Sequence, residues 1–229
     1  MPLAYELPEW VRPVAVYMLR EGLPETLKLA AVAVTVSALI GILLGTFLTI
    51  HFRPLQALLR FYIEVWRGLP IIVTILFIYW LPALHVLGQT IQLDAYTAAA
   101  VGLSLWGSAQ VAEATRGAVQ SIPKEQHEAA AALGFGWLGR HAFVIVPQAL
   151  RRLLPPFVGL LVNIIQNTTI AFVIGVNEFL QAGQRQVENL TTQTGNPHAF
   201  EIFAGVLVVF FIISFPLTML ARYLERRLV

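Results

Sequence analysis

Polar side chains interrupt two of the long hydrophobic runs of this chain. One run carries a glutamine and a glutamate three residues apart, and another contains the stretch NIIQNTTI. A charged side chain inside a membrane costs on the order of 2.5–3.5 kcal/mol on insertion scales, so polar groups there usually face a cavity or a partner. An arginine followed by Gly-Leu-Pro marks a place where a helix can break and expose backbone groups. We predict a substrate pathway that includes Arg67, Gln110, Glu113, Asn163, Gln166, Asn167, Thr168 and Thr169.

Each of these residues also has a purely structural interpretation. Glu113 and Arg116 have the spacing of a pair on one helix face. Arg67 has the position of an anchor that holds its charged head at the membrane interface. The amides of the NIIQNTTI stretch could bond only to neighbouring helices, although single interhelical bonds would not require so many polar groups in one segment.

Motifs for nucleotide hydrolysis, metal binding and serine hydrolysis are missing from the sequence. A P-loop places a lysine after a glycine, but Lys28 and Lys124, the two lysines, follow a leucine and a proline. The sequence has no cysteine, no zinc-type cluster of histidine and glutamate, and no GxSxG. We therefore predict a chain that is not an enzyme, that holds no metal and no cofactor, and that takes its energy from a partner.

The lengths of the hydrophobic runs indicate an all-α integral membrane protein. Of 229 residues, 57% are hydrophobic and 12% are charged, and a spanning helix needs about 20 apolar residues. Residues 1–22 are expected to form an amphipathic segment at the membrane surface, and residues 23–229 the transmembrane domain. Five transmembrane helices are predicted at about 23–50, 68–88 (entered by the amphipathic stretch 55–66), 94–115, 155–176 (beginning at Pro155-Pro156) and 198–221.

Basic residues are divided unequally between the two ends of these spans. One side has Arg12, Arg20, Lys28 and Arg185, intermixed with acidic residues, and the other side has all the remaining basic residues. Because cytoplasmic loops carry the excess of lysine and arginine, we expect the N-terminus outside and the loop at about 117–152 in the cytoplasm. The inner side carries Arg53, Arg60, Arg67, Arg116, Lys124, Arg140, Arg151, Arg152, Arg222, Arg226 and Arg227.

Small residues recur at four-residue spacing on two of the predicted spans. Such residues allow two helix backbones to approach closely. They predict packing within the helix bundle or, alternatively, a dimer contact between two copies. The first span carries Ser37, Gly41 and Gly45, and the third carries Ser104, Ser108 and Ala112 on one face and Ala98 with Gly102 on another.

A short alanine-rich helix is predicted in the central loop. Ser121 and Pro123 are helix-start signals, the alanines from Ala129 to Ala132 propagate a helix, and Gly134 stops it. A helix with so little side-chain bulk is suited to a groove on another protein, while a helix resting on lipid headgroups is the alternative.

The residues of this loop resemble a known motif. EAAAALG…VIVPQALR is similar to the EAA loop of permeases of ATP-binding-cassette (ABC) importers of type I, with Glu128, Ala129, Ala130 and Gly134 at the motif positions. The stretches VWRGLPIIVTILFIYWLP and QNTTIAFVIGVNEFL resemble the polar amino-acid uptake family. The resemblance implies that the loop is a coupling helix docked on an ATP-binding subunit that holds ATP and magnesium.

Further partners follow from the same resemblance. It implies a second permease subunit, either identical or related, an extracytoplasmic solute-binding protein, contact with lipid, and a bacterial cytoplasmic (inner) membrane. Nucleic acid is not an expected partner. The expected function is import of a polar amino acid by alternating access, driven by the separate ATPase. The alternatives are a secondary amino-acid transporter or channel that works alone and, less consistent with polar residues at mid-span, a structural membrane protein.

The fourth-span motif departs from the family. It usually reads Lys-Asp-Thr-Ser, whereas this chain has Gln166-Asn167-Thr168-Thr169 and so lacks both formal charges. A neutral amide set, with Arg67 and Arg116 as nearby cations, suits glutamate or glutamine better than a basic amino acid.

Overall fold

The computed structural model describes residues 8–50, 52–81, 85–86, 89–90 and 93–228. Apart from two short strands these residues are mainly helical, which confirms the all-α prediction. Part of the predicted second span, at 82–84 and 87–88, lies outside the described residues. The elements are α1 Val11–Tyr17, a π-helical turn Met18–Gly22, α2 Leu23–Phe47, α3 Arg53–Gly68, α4 Ile71–Trp80, β1 His85–Val86, β2 Gln89–Thr90, α5 Ala95–Gln120, α6 Lys124–Ala132, α7 Trp137–Arg140, a π-helical turn His141–Ile145, α8 Val146–Asn167, a 3₁₀ turn Thr168–Ile174, α9 Phe179–Thr194 and α10 Ala199–Leu228.

Three continuous helices in the described residues are long and apolar enough to cross a membrane. They are Val11–Phe47, Trp137–Ile174 and Ala199–Leu228, and the pair α3 and α4 would make a fourth span although it is bent by 102°. The bend lies at Leu69 and Pro70, both extended, because proline at that place prevents a helix from continuing. The break predicted at this point is confirmed.

The helices that contain the first and fourth predicted spans begin before those spans. The helix that contains the first span starts at Val11 and continues through the π-helical turn into α2. The predicted end of the N-terminal segment, Gly22, is the last residue of that turn. Pro155 and Pro156, the predicted start of the fourth span, lie inside a longer continuous helix, Trp137–Ile174, so they do not begin a helix. A proline has no backbone N–H, so one hydrogen bond of the helix is lost. Membrane helices tolerate this loss when neighbouring helices satisfy the freed carbonyl group.

Helix α5 lies at the centre of the bundle. It packs against α2 along its length and also against α3, α4 and α8. Its buried residues are mainly alanine, glycine and serine, and this composition explains why α5 is not among the strongly apolar helices. A helix surrounded by other helices needs small residues that allow close packing rather than large apolar residues that face lipid.

The small-residue faces predicted from the sequence are used inside the subunit. Gly41 and Gly45 of α2 face α5, where a Cβ atom on Gly45 would lie 2.3 Å from the carbonyl oxygen of Ala112. Ser37 donates a hydrogen bond to the carbonyl oxygen of Ser104 over 3.4 Å and is fully buried. Gly102, on the other face of α5, packs on Ile75 of α4. Packing within the bundle, rather than contact between copies, therefore occupies both faces.

Candidate functional site

A polar pocket of about 340 Å³ lies between the end of α2, helix α3 and helix α5. Its walls carry Arg60, Glu64 and Arg67 from α3 and Glu113 and Arg116 from α5, and we call it the α3–α5 pocket. The amphipathic character of α3 creates this arrangement, because Leu59 and Ile63 are buried while the charged face of the same helix stays exposed.

Hydrogen bonds hold part of this pocket in place. Arg67 donates from Nε to Oε1 of Gln110 over 3.2 Å, which ties α3 to α5. Arg116 donates from Nε to Oε2 of Glu113 over 3.0 Å and from Nη2 to Oε1 over 2.5 Å. Arg116 also contacts Oε1 of Gln120. The pair with the predicted i, i+3 spacing therefore forms, as a two-pronged contact that leaves Glu113 neutralised.

The polar residues of the fourth span lie where α8 gives way to the 3₁₀ turn. Asn163 and Gln166 are exposed, Asn167 is half-buried and Thr168 is fully buried. Gln166 donates to Oγ of Ser214 in α10 over 3.4 Å. The hydroxyl groups of Thr168 and Thr169 donate to carbonyl oxygens three residues back, over 2.7 and 2.8 Å. The exposed amides of this segment are therefore available to a ligand or to another subunit.

The predicted pathway residues form two groups within one subunit. Arg67 and Glu113 line the α3–α5 pocket, and Gln110 is bonded to its edge. Among the residues that line this pocket, none in the described part of the chain belongs to α8. The structure thus brings three of the predicted residues together on α3 and α5 and places the other five on the α8 end: Asn163, Gln166, Asn167, Thr168 and Thr169.

The short helix of the central loop is α6, and it ends as the sequence predicts. Gly134 has φ of +82°, the left-handed conformation that glycine adopts without a steric cost. The N–H of Gly134 donates to the carbonyl oxygen of Ala131 over 2.9 Å, and that of Phe135 to Ala130 over 3.1 Å. These two bonds form a Schellman motif, which satisfies carbonyl groups at the helix end and reverses the chain direction.

Helix α6 and the turn after it expose small and apolar residues. Glu128 and Ala129 are exposed, whereas Ala130 faces the protein and is 2% exposed. We call residues 133–138 the elbow. Leu133 and Leu138 in the elbow are 77% and 73% exposed. Large exposed apolar side chains that lie close together are typical of a surface that contacts a partner.

Two contacts attach α6 and its flanking residues to α8. Gln148 donates from Nε2 to Oε1 of Gln126 over 3.1 Å. Arg152 donates from Nη1 to the carbonyl oxygen and to Oγ of Ser121, over 2.5 and 3.1 Å. Below them lies an apolar cluster that joins the end of α5 to the start of α8 and includes Val119, Ile122 and Ile145. Helix α6 is therefore bonded to α8 through Gln126, and the end of α5 just before α6 is bonded to α8 through Ser121.

Helix α9 is an element that the sequence analysis missed. Glu178 caps it by accepting hydrogen bonds from the N–H groups of Leu180 and Gln181, both over 2.8 Å. The N–H of Phe179 donates to Oγ1 of Thr26 in α2 over 2.9 Å. The amphipathic stretch between Glu178 and the left-handed Gly195 was the available signal for this helix. Glu178 thus caps α9, and the N–H of Phe179 fastens the start of this helix to α2.

Because Glu178 is fully buried, its titration is expected to change the stability of the protein. Burial raises the pKa of this carboxyl group to about 7, although the two backbone N–H groups act in the opposite direction. The folded protein therefore holds a proton that the unfolded chain has already released between about pH 4.5 and 7. The free energy of unfolding is expected to fall by about 3 kcal/mol as the pH rises through this window.

The measurement for this prediction is the unfolding temperature of the purified protein at pH 5.5 and pH 8. Glu178→Gln is expected to remove most of the difference, since the amide still accepts a hydrogen bond but does not titrate. Glu188→Gln, on the exposed surface of α9, is the matched control and should keep the pH dependence. An equal pH dependence in Glu178→Gln and in the natural protein would contradict the assignment.

A mainly helical bundle with polar groups within its long apolar helices and an exposed short helix is the architecture of a membrane transport subunit. The chain belongs to the family described as the binding-protein-dependent transport system inner membrane component, whose model matches residues 37–229. The resemblance to permeases of amino-acid ABC importers is thereby confirmed, as is the inner-membrane location.

Relatives from Escherichia coli and Bacillus subtilis match almost the whole chain. The glutamine transport system permease protein of Escherichia coli is 37% identical over 214 residues, which are 93% of this chain and 94% of that protein. The arginine transport system permease protein of Bacillus subtilis is 34% identical over 213 residues, 91% of each chain. A solved structure described as an amino acid ABC transporter with histidines has a TM-score of 0.80 and 28% identity, and covers 97% of this chain and 100% of that one.

Proposed function

We propose that this chain is the transmembrane subunit of an importer that moves a glutamate-like or glutamine-like amino acid into the cytoplasm, with energy from a separate ATPase subunit. The observation that carries the proposal is helix α6 with its elbow, exposed on one side and attached to α8 on the other, next to the end of α5 that Arg152 of α8 holds. Glu128, Ala129, Ala130 and Gly134 are the residues assigned to the ATPase contact. The chain itself contributes no catalysis.

The same arrangement supports transport by alternating access. When the ATPase subunits close, α6 moves with them, and the bond between Gln126 and Gln148 passes this movement to the start of α8, which Arg152 holds to the end of α5. The polar end of α8 lies at the opposite end of the same helix. A rigid helix therefore links the ATPase contact to the pathway residues, and an external solute-binding protein delivers the amino acid.

The orientation and the number of spans belong to this proposal. The three long helices, the bent pair α3 and α4, and the buried helix α5 together make five crossings. The excess of basic residues at the ends that carry α3 and α6 places these ends in the cytoplasm and the N-terminus outside. Residues 117–152 then form the cytoplasmic coupling region.

A second permease subunit completes the pathway. Asn163 and Gln166 are exposed on a helix that spans the membrane, where an amide facing lipid would be unfavourable. Two subunits that face each other through the ends of α8 would remove these amides from lipid and surround a polar channel. The second subunit can be identical to this chain or related to it.

A neutral polar set at the end of α8 favours a neutral or acidic amino acid. Gln166 and Asn167 offer amide groups without formal charge, and the arginines of the α3–α5 pocket favour carboxylates. The similarity to the glutamine permease of Escherichia coli supports this assignment. The Bacillus permease named for arginine is also similar, so the family alone does not decide the substrate.

The test of the proposed function is purification and transport. A tagged chain expressed with its natural genomic neighbours should copurify with an ATPase subunit, and vesicles that contain the complex should take up glutamine only with ATP and the external binding protein. A stand-alone secondary transporter would work without either component, and this result would overturn the proposal.

Asn167→Asp is expected to shift substrate preference toward basic amino acids. The half-buried amide is replaced by a carboxylate, whose charge-assisted bond to a cationic side chain is worth about 1.5–3 kcal/mol. Arginine should therefore inhibit glutamine uptake at concentrations about tenfold lower or more than in the natural protein. Asn196→Asp, on the exposed connection between α9 and α10, is the matched control. Unchanged inhibition by arginine would remove Asn167 from the pathway.

A further inference from the structure

The α3–α5 pocket contains charged groups that form no salt bridge with any described residue of the chain. Glu113 and Arg116 neutralise each other. Arg67 uses only Nε for its bond to Gln110, so its two terminal nitrogens are not needed there. Within the described part of the chain, neither Arg60 nor Arg67 forms a salt bridge, and the same holds for Glu64.

The spacing of these groups places them on one side of a single helix. Arg60, Glu64 and Arg67 are separated by four and three residues, which aligns them along one face of α3. All three line the pocket, opposite the neutralised pair on α5. The pocket thus presents two guanidinium groups and one carboxylate toward a single space.

This combination matches the charged groups common to all free amino acids. A guanidinium group binds a carboxylate through two parallel hydrogen bonds, and a carboxylate binds an ammonium group. The excess of positive charge suits an additional acidic or amide side chain. A pocket of about 340 Å³ is within the range of small-molecule sites, which is about 300–1,000 Å³.

We propose that the α3–α5 pocket is a second amino-acid site, which binds the α-carboxylate through Arg60 and Arg67 and the α-ammonium group through Glu64. The proposal rests on the proposed function, which places this pocket on the cytoplasmic side. The imported amino acid binds here as it leaves the pathway and enters the cytoplasm. A phospholipid headgroup fits less well, because the apolar lining consists of Leu48 and Ile63 and offers no long groove for an acyl chain.

The experiment measures binding of L-glutamine to the whole importer in lipid nanodiscs, without the external binding protein. Arg60→Gln and Glu64→Gln are each expected to weaken binding about tenfold or more, since each removes a charge-assisted bond. Arg151→Gln and Glu225→Gln are matched controls on exposed surfaces and should bind as the natural protein does. L-Glutamine amidated at the α-carboxylate and N-acetyl-L-glutamine should not compete.

Several outcomes would overturn the proposal. The first is an affinity for L-glutamine in both Arg60→Gln and Glu64→Gln that equals that of the natural protein. The second is competition by the two blocked glutamines as strong as that by L-glutamine. The third is a bound phosphatidylethanolamine that L-glutamine does not displace and that Arg60→Gln releases. Unfolding temperatures of the variants are measured in parallel, and both substitutions are at exposed positions. If the natural importer takes up glutamine while these tests fail, the pocket proposal is wrong and the transport proposal stands. If ATP drives no uptake, the transport proposal fails.

Discussion

Gly45→Val is expected to destabilise the helix bundle strongly. A Cβ atom at this position would lie 2.3 Å from the carbonyl oxygen of Ala112 and 2.6 Å from Cβ of Thr115. The first contact is with backbone, so a side-chain rotation cannot relieve it, and α2 would have to move away from α5. Overpacking of this kind costs about 1–3 kcal/mol in well-packed cores, and we expect the upper end because two long helices are separated.

The measurement is the yield of monodisperse protein after extraction, together with its unfolding by a denaturing detergent. Gly205→Val is the matched control, because a Cβ atom at Gly205 of α10 meets nothing within 4 Å. The control should be extracted like the natural protein. Normal yield and stability of Gly45→Val would show that the contact between α2 and α5 is looser than the structure indicates.

Gly134→Asp is expected to separate ATP hydrolysis from transport while the subunit stays folded. The space around Gly134 is open, so the change causes no collision, and aspartate, like asparagine, adopts a positive φ such as +82° more readily than most residues with a Cβ atom. The new carboxylate would lie beside exposed Leu133, where docking of a partner would bury it without a counter-charge. We expect ATP-driven uptake to fall at least about tenfold, since an unpaired buried charge at an interface costs more than about 2 kcal/mol.

The matched control for this substitution is Gly134→Asn, which has nearly the same size. Asparagine tolerates the left-handed conformation and carries no charge, so it should keep most of the uptake. Uptake and copurification of the ATPase subunit are measured for both variants. Normal uptake by Gly134→Asp would exclude this turn from coupling, and equal loss in both variants would assign the effect to backbone strain rather than to charge.

Local sequence rules predicted the features that depend on neighbouring residues. Proline at position 70 stopped α3, and Gly134 ended α6 in the expected left-handed conformation. The spacing of Glu113 and Arg116 predicted their contact. These features follow from backbone geometry and from groups within one helical turn of each other, so the chain around them has little influence.

Features that depend on supporting neighbours could not be predicted in this way. Pro155 and Pro156 looked like the start of a span, but packing of α8 against α5 and α10 keeps the helix intact through them. Helix α9 has few apolar residues of its own, and its start depends on Thr26, which lies 153 residues away in the sequence. Arg60 and Glu64 looked like ordinary charges of an amphipathic helix until the fold placed them opposite α5.

The sequence by itself therefore determined the class of protein, the main hydrophobic helices and the short helix of the central loop. These depend on composition, on run length and on turns that a few residues specify. Only the tertiary structure decided that the small-residue faces serve the bundle itself, and that Arg67 and Glu113 share a pocket apart from the polar end of α8. Such assignments depend on which helices are neighbours in the fold. The spacing of residues along the chain does not determine the distances between helices.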